Sequence, residues 1–333
     1  MNKVLTISIA AYNVENYIEE ALDSLVSSKY IEELEIFVID DGGKDNTLLI
    51  TKKYAEKFPN SVFPIHKENG GYGSTVNYSM RNATGKYFKL LDGDDWFNTD
   101  ELDKLIEKMK ITSSDVIITP YLYGSDRDNM HISEYSNSFK IGKEIKISEI
   151  NNLCKIGMWA LAYKTEVLRI SNMTLPEKLF YTDQIFCTIP FAFANTIQYF
   201  DYPIYSYRLG REGQSVSRES RIKNIKMTLD ICEMLSEFVA KYKTHNNYKY
   251  MLYRVTAYYF AALKTIMLLG PNCGTLSHLK EYENRIRDIS NDVYNDVIRF
   301  GKLGLFIKLC RLSNYYAIYI LKIIYPNGLP NWA

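Results

Sequence analysis

Long apolar runs are missing from this chain. No segment reaches the roughly 18 uninterrupted apolar residues expected of a bilayer-spanning helix. Paired cysteines are missing as well. Cys154, Cys187, Cys232, Cys273 and Cys310 are scattered, odd in number and never spaced Cys-x-x-Cys. That argues against a zinc site and a disulfide framework, and it fits a reducing compartment. The four histidines, His66, His131, His245 and His278, are equally isolated, so no local pattern supports a histidine metal site. Charge excess is absent too: 40 Lys and Arg against 39 Asp and Glu leave +1, which names no polyanionic partner such as nucleic acid. Residues 4–11 follow a single lysine and lack a small-x-small cleavage signature. They run straight into an amphipathic pattern, so they read as a buried strand and not as a signal peptide.

What is present is a chain of 333 residues, enough for one large domain or two ordinary ones. Hydrophobic residues make up 47%, normal for a folded globular protein. The 28 tyrosines are unusual. A composition bias shared with the many Lys, Asn and Ile accounts for most of them. Stacking on sugars or anchoring at a membrane interface is the functional alternative.

Short apolar runs at 4–11, 34–39, 62–65, 87–91 and 116–119 read as strands. Between them, Val14, Ile18, Ala21, Leu22 and Leu25 recur at helical spacing, with Asn13 as the expected N-cap. Asp45 and Asn46 precede a second helix, Ser74 a third and Thr99 a fourth. Strands alternating with helices predict a mostly parallel α/β sheet, whose ligands bind beyond the carboxyl ends of the strands. Tyr12-Asn13, Asp40-Asp41 and the acidic run 92–95 all follow such ends. Past residue 120 regularity falls off, and Gly124, Asp126, Asp128 and Asn129 read as loop. From Ser220 the chain reads helical, with a break at Gly270-Pro271-Asn272.

Asp92-Gly93-Asp94-Asp95 is the most informative stretch. Three carboxylates in four residues at the tip of an apolar strand repel one another, and a cation would offset that cost. Hard oxygen ligands suit Mg²⁺ or Mn²⁺, which take one or two protein carboxylates plus phosphate oxygens. A plain acidic loop before a helix is the other reading.

Together the motifs resemble glycosyltransferase family 2, nucleotide-sugar-dependent enzymes with the GT-A fold. The resemblance rests on Ala11-Tyr12-Asn13, Asp40-Asp41-Gly42 with Asp45-Asn46-Thr47, Asn69-Gly70-Gly71, and Gly85-Lys86-Tyr87 through Asp95. It continues in Trp159 with Tyr163-Lys164, Tyr181-Thr182-Asp183, and Tyr207-Arg208 with Ser215-Val216-Ser217. The resemblance implies a GT-A catalytic domain over 1–219, with its nucleotide half at about 1–120, and a helical region over 220–333. It implies that Ala10, Tyr12, Asp41, Asn69 and Asp92 bind the nucleotide, with Tyr12 stacking on the base and Asp41 at the base edge. Asp94 would ligate Mn²⁺ or Mg²⁺, and Asp95, Arg208 and Arg211 would serve the donor sugar and diphosphate, the two arginines from a Gly-rich loop. Asp183 would be the catalytic base and Trp159 would line the acceptor side. One base opposite the leaving group implies an inverting single displacement from a UDP-sugar to a glycan or lipid-linked acceptor, in cell-surface polysaccharide synthesis.

Three positions depart from the family pattern: Gly43 stands where Ser is usual, Thr182 where an acidic residue is usual, and Thr75-Val76-Asn77 lacks the usual arginine. The missing arginine weakens the case for UDP as the base. A nucleotidyltransferase of related fold would want a basic Gly-rich loop near the N-terminus, which Ala10-Ala11-Tyr12-Asn13 is not. A non-catalytic sugar-nucleotide-binding subunit would not need both Asp94 and Asp183.

No acidic residue follows Asp296. On a helical wheel Lys308, Arg311 and Lys322 fall on one side, with Leu, Ile, Phe and Tyr around much of the rest. The pattern predicts a cationic amphipathic segment over 298–325, suited to peripheral contact with the inner face of a cell membrane by a cytoplasmic protein. Covering the catalytic domain, or a homo-oligomer contact, is the alternative.

Overall fold

The computed structural model describes residues 2–125, 127–211 and 214–326. The chain forms two compact units, Met1–Arg211 and Glu212–Ala333.

The first unit is built on a sheet of eight strands. β1 (Leu5–Ala11), β2 (Leu34–Asp40), β3 (Val62–His66) and β4 (Tyr87–Asp92) are the apolar runs read from the sequence. β5 (Trp96–Phe97), β6 (Val116–Ile118), β7 (Tyr121–Gly124), β8 (Met130–Ser133), β9 (Glu144–Lys146), β10 (Leu161–Lys164), β11 (Thr196–Tyr199) and β12 (Tyr205–Arg208) follow. The large sheet has the order β3-β2-β1-β4-β10-β6-β11-β9. β3, β2, β1 and β4 are parallel. β10 then enters antiparallel between β4 and β6, β11 pairs parallel with β6, and β9 closes the edge antiparallel. The sheet is therefore mixed beyond β4, yet mostly parallel as expected, with four parallel pairings against three antiparallel. A second, four-stranded sheet has the order β5-β12-β7-β8. Its β7–β8 hairpin occupies the stretch that reads as loop.

Helices α1 (Ile18–Val26), α2 (Thr47–Lys57), α3 (Tyr72–Asn82), α4 (Thr99–Ile111), α5 (Thr165–Ser171) and the short α6 (Asp183–Phe186) complete this unit. In α1, Ile18, Ala21, Leu22 and Leu25 recur on one face and are fully buried with Ile7, Ile9 and Leu105. Each such Leu or Ile side chain contributes about 1.5–3 kcal/mol by leaving water. Helix α4 starts as expected, with the Asn98 side chain accepting from Glu101 N at 3.2 Å. Helix α3 starts at Tyr72, earlier than Ser74.

The second unit is helical: α7 (Arg218–Lys223), α8 (Ile225–Lys241), α9 (Tyr248–Met267), α10 (Cys273–Ile289), α11 (Asn291–Asp296), α12 (Gly301–Leu312) and α13 (Leu321–Ile324). Helix α9 ends before Gly270, whose φ of 89° suits glycine. Among the described residues no helix is long and apolar enough to cross a membrane. One sequence expectation fails in this unit. Arg311 does not share an outer face with Lys308. It turns inward, with Nη2 2.7 Å from Glu283 Oε1 and its guanidinium 3.5 Å from the centre of the Tyr294 ring. Glu283 is buried and also accepts from the hydroxyls of Tyr259 and Tyr315. A buried carboxylate demands such partners, and this demand outweighs the helical wheel.

Candidate active site

The register of the central strands builds a rim. Ala10 lies beside Ile39 of β2 and Asp92 of β4, and Ala11 lies beside Asp40. The residues that follow β1, β2 and β4 therefore emerge together at the carboxyl edge. Tyr12 stands 51% exposed there, its ring open to a stacking partner. Asn13 does not cap α1. It adopts a left-handed φ of 53°, and its Oδ1 accepts from Lys44 N at 2.8 Å, tying the first rim loop to the second. Asn46 sits at the N-cap position of α2 without a side-chain cap bond, and Asp45, one residue earlier, accepts from Thr47 N at 3.0 Å. Asp40 accepts from Gly43 N at 3.0 Å and lies 2.6 Å from His66 Nδ1.

Asp41 is buried and heavily engaged. Its Oδ1 takes Lys67 Nζ at 2.8 Å and Gly70 N at 3.0 Å; its Oδ2 takes Gly71 N at 2.7 Å. Asn69 donates back to the Asp41 carbonyl at 2.9 Å. Asp41 thus holds the Asn69-Gly70-Gly71 turn, and only Oδ2 retains acceptor capacity for a base edge. The turn delivers α3, whose first residue, Tyr72, is half-buried with its hydroxyl near Asp92 and Asp183. Asn77 grips the chain on the way to Asp183, since its amide donates to and accepts from the Leu175 backbone at 2.8 Å each way. Gly73 allows that approach, because a Cβ would stand 2.2 Å from the Pro176 carbonyl. Lys178 and Tyr181 then take positive φ values of 56° and 65° just before Asp183. Backbone in this region is costly for side-chain-bearing residues and concentrates at functional sites.

The carboxylates converge. Burial, with Asp94 and Asp183 nearby, pushes the Asp92 carboxyl up to about 8, while the Tyr72 hydroxyl and Arg211 oppose that shift. Burial, with Asp92 and Asp94, also raises Asp95. Asp95 is tied into the scaffold, accepting from Tyr205 Oη at 2.6 Å and from Arg208 N at 2.8 Å. Asp94 pairs with Arg211, Nε to Oδ2 at 2.8 Å. Asp183 opens α6 half-buried and accepts from Gln184 Nε2 at 2.7 Å.

Arg208 is the last residue of β12 and not part of a loop. Its Nε donates to the Asp94 carbonyl at 3.0 Å, its guanidinium pairs with Glu20, and it lies 4.7 Å from the Trp96 ring centre. So fixed, it braces the acidic turn, whereas Arg211 lies in the segment after the strand. Trp159 stacks on Tyr207, ring centres 4.6 Å apart, and its buried Nε1 has no hydrogen-bond partner.

Two residues of the site went unread in the sequence. Tyr72 looks like an ordinary residue after Gly-Gly, and only the fold sets it against two carboxylates. Lys89 lies inside an apolar strand, and a charge there was a usable signal. It is fully buried, donates to the Trp159 carbonyl at 2.7 Å and the Leu161 carbonyl at 3.1 Å, and lies 5.8 Å from the Tyr205 ring centre. It joins the strand that ends in Asp92 to the segment bearing Trp159.

Among the described residues no group of three or more His, Cys, Asp or Glu is arranged to hold an ion by itself. Asp94, with the buried unpartnered Asp92 Oδ1 near it, instead suits a hard cation that takes its remaining ligands from a phosphorylated substrate.

Residues 6–167 match the model of glycosyl transferase family 2. Over 227 residues the chain is 27% identical to the glycosyltransferase GlyA of Streptococcus pneumoniae, covering 64% of this chain and 31% of GlyA. Over 133 residues it is 28% identical to the minor teichoic acid biosynthesis protein GgaB of Bacillus subtilis, covering 39% of this chain and 15% of GgaB. The chain therefore spans less than a third of either relative's length. In structure it is similar to Staphylococcus aureus TarS 1-349 in complex with UDP-GlcNAc, with a TM-score of 0.74 and 19% identity over 96% of this chain and 92% of that one. That likeness is one of fold, and the fold is the expected GT-A architecture of a central sheet flanked by helices. Residues 6–167, which span the strands that carry the acidic turn, therefore belong to glycosyltransferase family 2.

Proposed function

We propose that this chain is an inverting glycosyltransferase that moves a sugar from a nucleoside diphosphate donor, UDP by default, to a hydroxyl of a glycan or lipid-linked acceptor in cell-surface polysaccharide synthesis. The observation that carries this reading is the approach of Asp183, from a distant part of the chain, to Asp92 and the acidic turn. The default base is supported by the UDP-GlcNAc complex of TarS, and the polymer class by the naming of GgaB.

The nucleotide lies along the rim, its base against Tyr12 and the Asp41 loop, with Ala10, Asn69 and Asp92 flanking the ribose. A divalent cation such as Mn²⁺ or Mg²⁺, held by Asp94 and the diphosphate oxygens, would supply Lewis-acid stabilisation of the leaving group. Arg211 adds positive charge beside that leaving group, and Asp95 with Arg208 holds the turn in place. Asp183 accepts the proton of the acceptor hydroxyl as its oxygen attacks the anomeric carbon. The bond to the diphosphate oxygen breaks on the opposite side, so the anomeric centre inverts. A carboxylate base suits this step and typically contributes about 10²–10⁴-fold. Trp159 and Tyr207 form the wall on the acceptor side.

The test compares UDP release from UDP-sugars by wild type and Asp183→Asn, with UDP binding followed by thermal shift. Release is expected to fall by about 10²–10⁴-fold while the UDP-induced shift persists. Equal release by the two proteins removes Asp183 from the role of base.

A further inference from the structure

We infer that α12 and the turns after it form a docking face for an anionic lipid surface. Leu305, Leu309 and Leu312 recur at i, i+4 and i+7, so they share one face of α12. They are 60%, 44% and 78% exposed, while Gly304, Ile307 and Cys310 on the other side are buried. Exposed apolar residues continue at Tyr316, Ile320, Ile323 and Ile324, with Ile323 80% exposed. Single exposed apolar residues are ordinary, but a run of this density is not.

The charge of the segment selects the occupant. From Val297 to Pro326 there is no acidic residue. Arg299 pairs with Asp296 and Arg311 with Glu283, so both are internally neutralised. Lys302, Lys308 and Lys322 are exposed, and none has a carboxylate at ion-pair distance among the described residues. Lys302 and Lys308 flank Leu305 at three residues on either side, bordering the leucine row. Apolar side chains edged by unneutralised lysines match a layer with an apolar interior and anionic headgroups. A two-fold contact between copies would set these lysines against themselves with no carboxylate to relieve them. At 12 residues α12 is about 18 Å long, so it lies along the surface and does not span it.

The experiment is co-sedimentation of the full chain with vesicles of mixed phosphatidylglycerol and phosphatidylcholine, and with phosphatidylcholine alone. Binding is expected on the anionic vesicles, weakening as salt is raised. The double variant Leu305→Asp/Leu309→Asp should lower the partition coefficient about tenfold or more. Lys302→Gln and Lys308→Gln should each lower it about fivefold on anionic vesicles alone. All these side chains are solvent-facing, so thermal unfolding should stay unchanged. No sedimentation with anionic vesicles, or equal sedimentation by the leucine variant, overturns the proposal. So does a concentration-dependent dimer that the leucine variant dissociates, which assigns the face to a second copy.

Discussion

Arg211 Nε lies 2.8 Å from Asp94 Oδ2, so an arginine from outside the strands neutralises the central carboxylate of the acidic turn. The same carboxylate is the proposed ligand of a divalent cation. The two positive groups compete for it, and the arginine must shift when a cation and diphosphate enter. Arg211→Gln should therefore tighten Mn²⁺ binding in the presence of UDP by about 1.5–5-fold, the range of a solvent-accessible ion pair. UDP release from a UDP-sugar should nonetheless fall, since the leaving diphosphate loses a positive neighbour. Electron paramagnetic resonance titration of free Mn²⁺ reads the first effect. Unchanged or weaker Mn²⁺ affinity rules out the competition.

Asp41 should matter for stability as much as for binding. An asparagine there keeps one acceptor oxygen but sets an NH₂ group against either the Gly70 or the Gly71 amide, and it strips Lys67 of its ion-pair partner. Asp41→Asn is expected to cost about 2–3 kcal/mol. Faster hydrogen exchange at residues 69–77, without a change in the β4 amides, would locate the loss in the turn.

Gly43 makes a prediction opposite to the family habit of serine at this position. A Cβ there would stand 2.6 Å from Asp40 Oδ1, and this carboxylate is buried and held through its Oδ2 by His66. Gly43→Ser is expected to destabilise by about 1–3 kcal/mol through overpacking. A thermal midpoint equal to or above that of wild type shows that the second rim loop absorbs the side chain.

Lys89 ties pH to stability. Burial pushes its ammonium down to about 7 from the usual 10.5, with the Cys187 thiol pulling the other way. Between those values the unfolded chain holds a proton that the folded chain has released. Raising the pH through this window therefore favours the folded state, by up to about 1.4 kcal/mol per unit. Below about pH 7 both states are protonated and the dependence vanishes. Urea melts of wild type and Lys89→Met from pH 6 to 9.5 should show wild type gaining on the variant only above neutrality. Parallel curves across that range disprove the assignment.

The first four strands were legible because each is an apolar run closed by turn residues, and β1, β2 and β4 are buried almost throughout. The rim followed from topology alone, which is why Tyr12, Asp41 and Asp92 were readable as neighbours of one edge. β10 was not legible. Leu161-Ala162-Tyr163-Lys164 carries no sign that it runs against β4, because that pairing depends on a long excursion of the chain. The β7–β8 hairpin was obscured because its strands are only four residues long, β7 with two half-buried tyrosines and β8 with its two central residues exposed. Arg208 and Arg311 were misread for one reason. A helical wheel or a Gly-rich neighbourhood says where an arginine starts, whereas Glu20 and Glu283, far away in sequence, decide where each guanidinium ends.

The reversed strand β10 also governs how this protein can be cut. The family model stops at residue 167, just past β10, yet Asp183 lies beyond that point, and β11, later still, supplies the far neighbour of β6. A fragment trimmed to the matched stretch would bare the ladder groups of Val116–Ile118, whose side chains are wholly apolar. Such a piece would stick to its own kind before it met any sugar. The stretch by which the lineage is recognised is thus shorter than the smallest part that can be expected to stand alone.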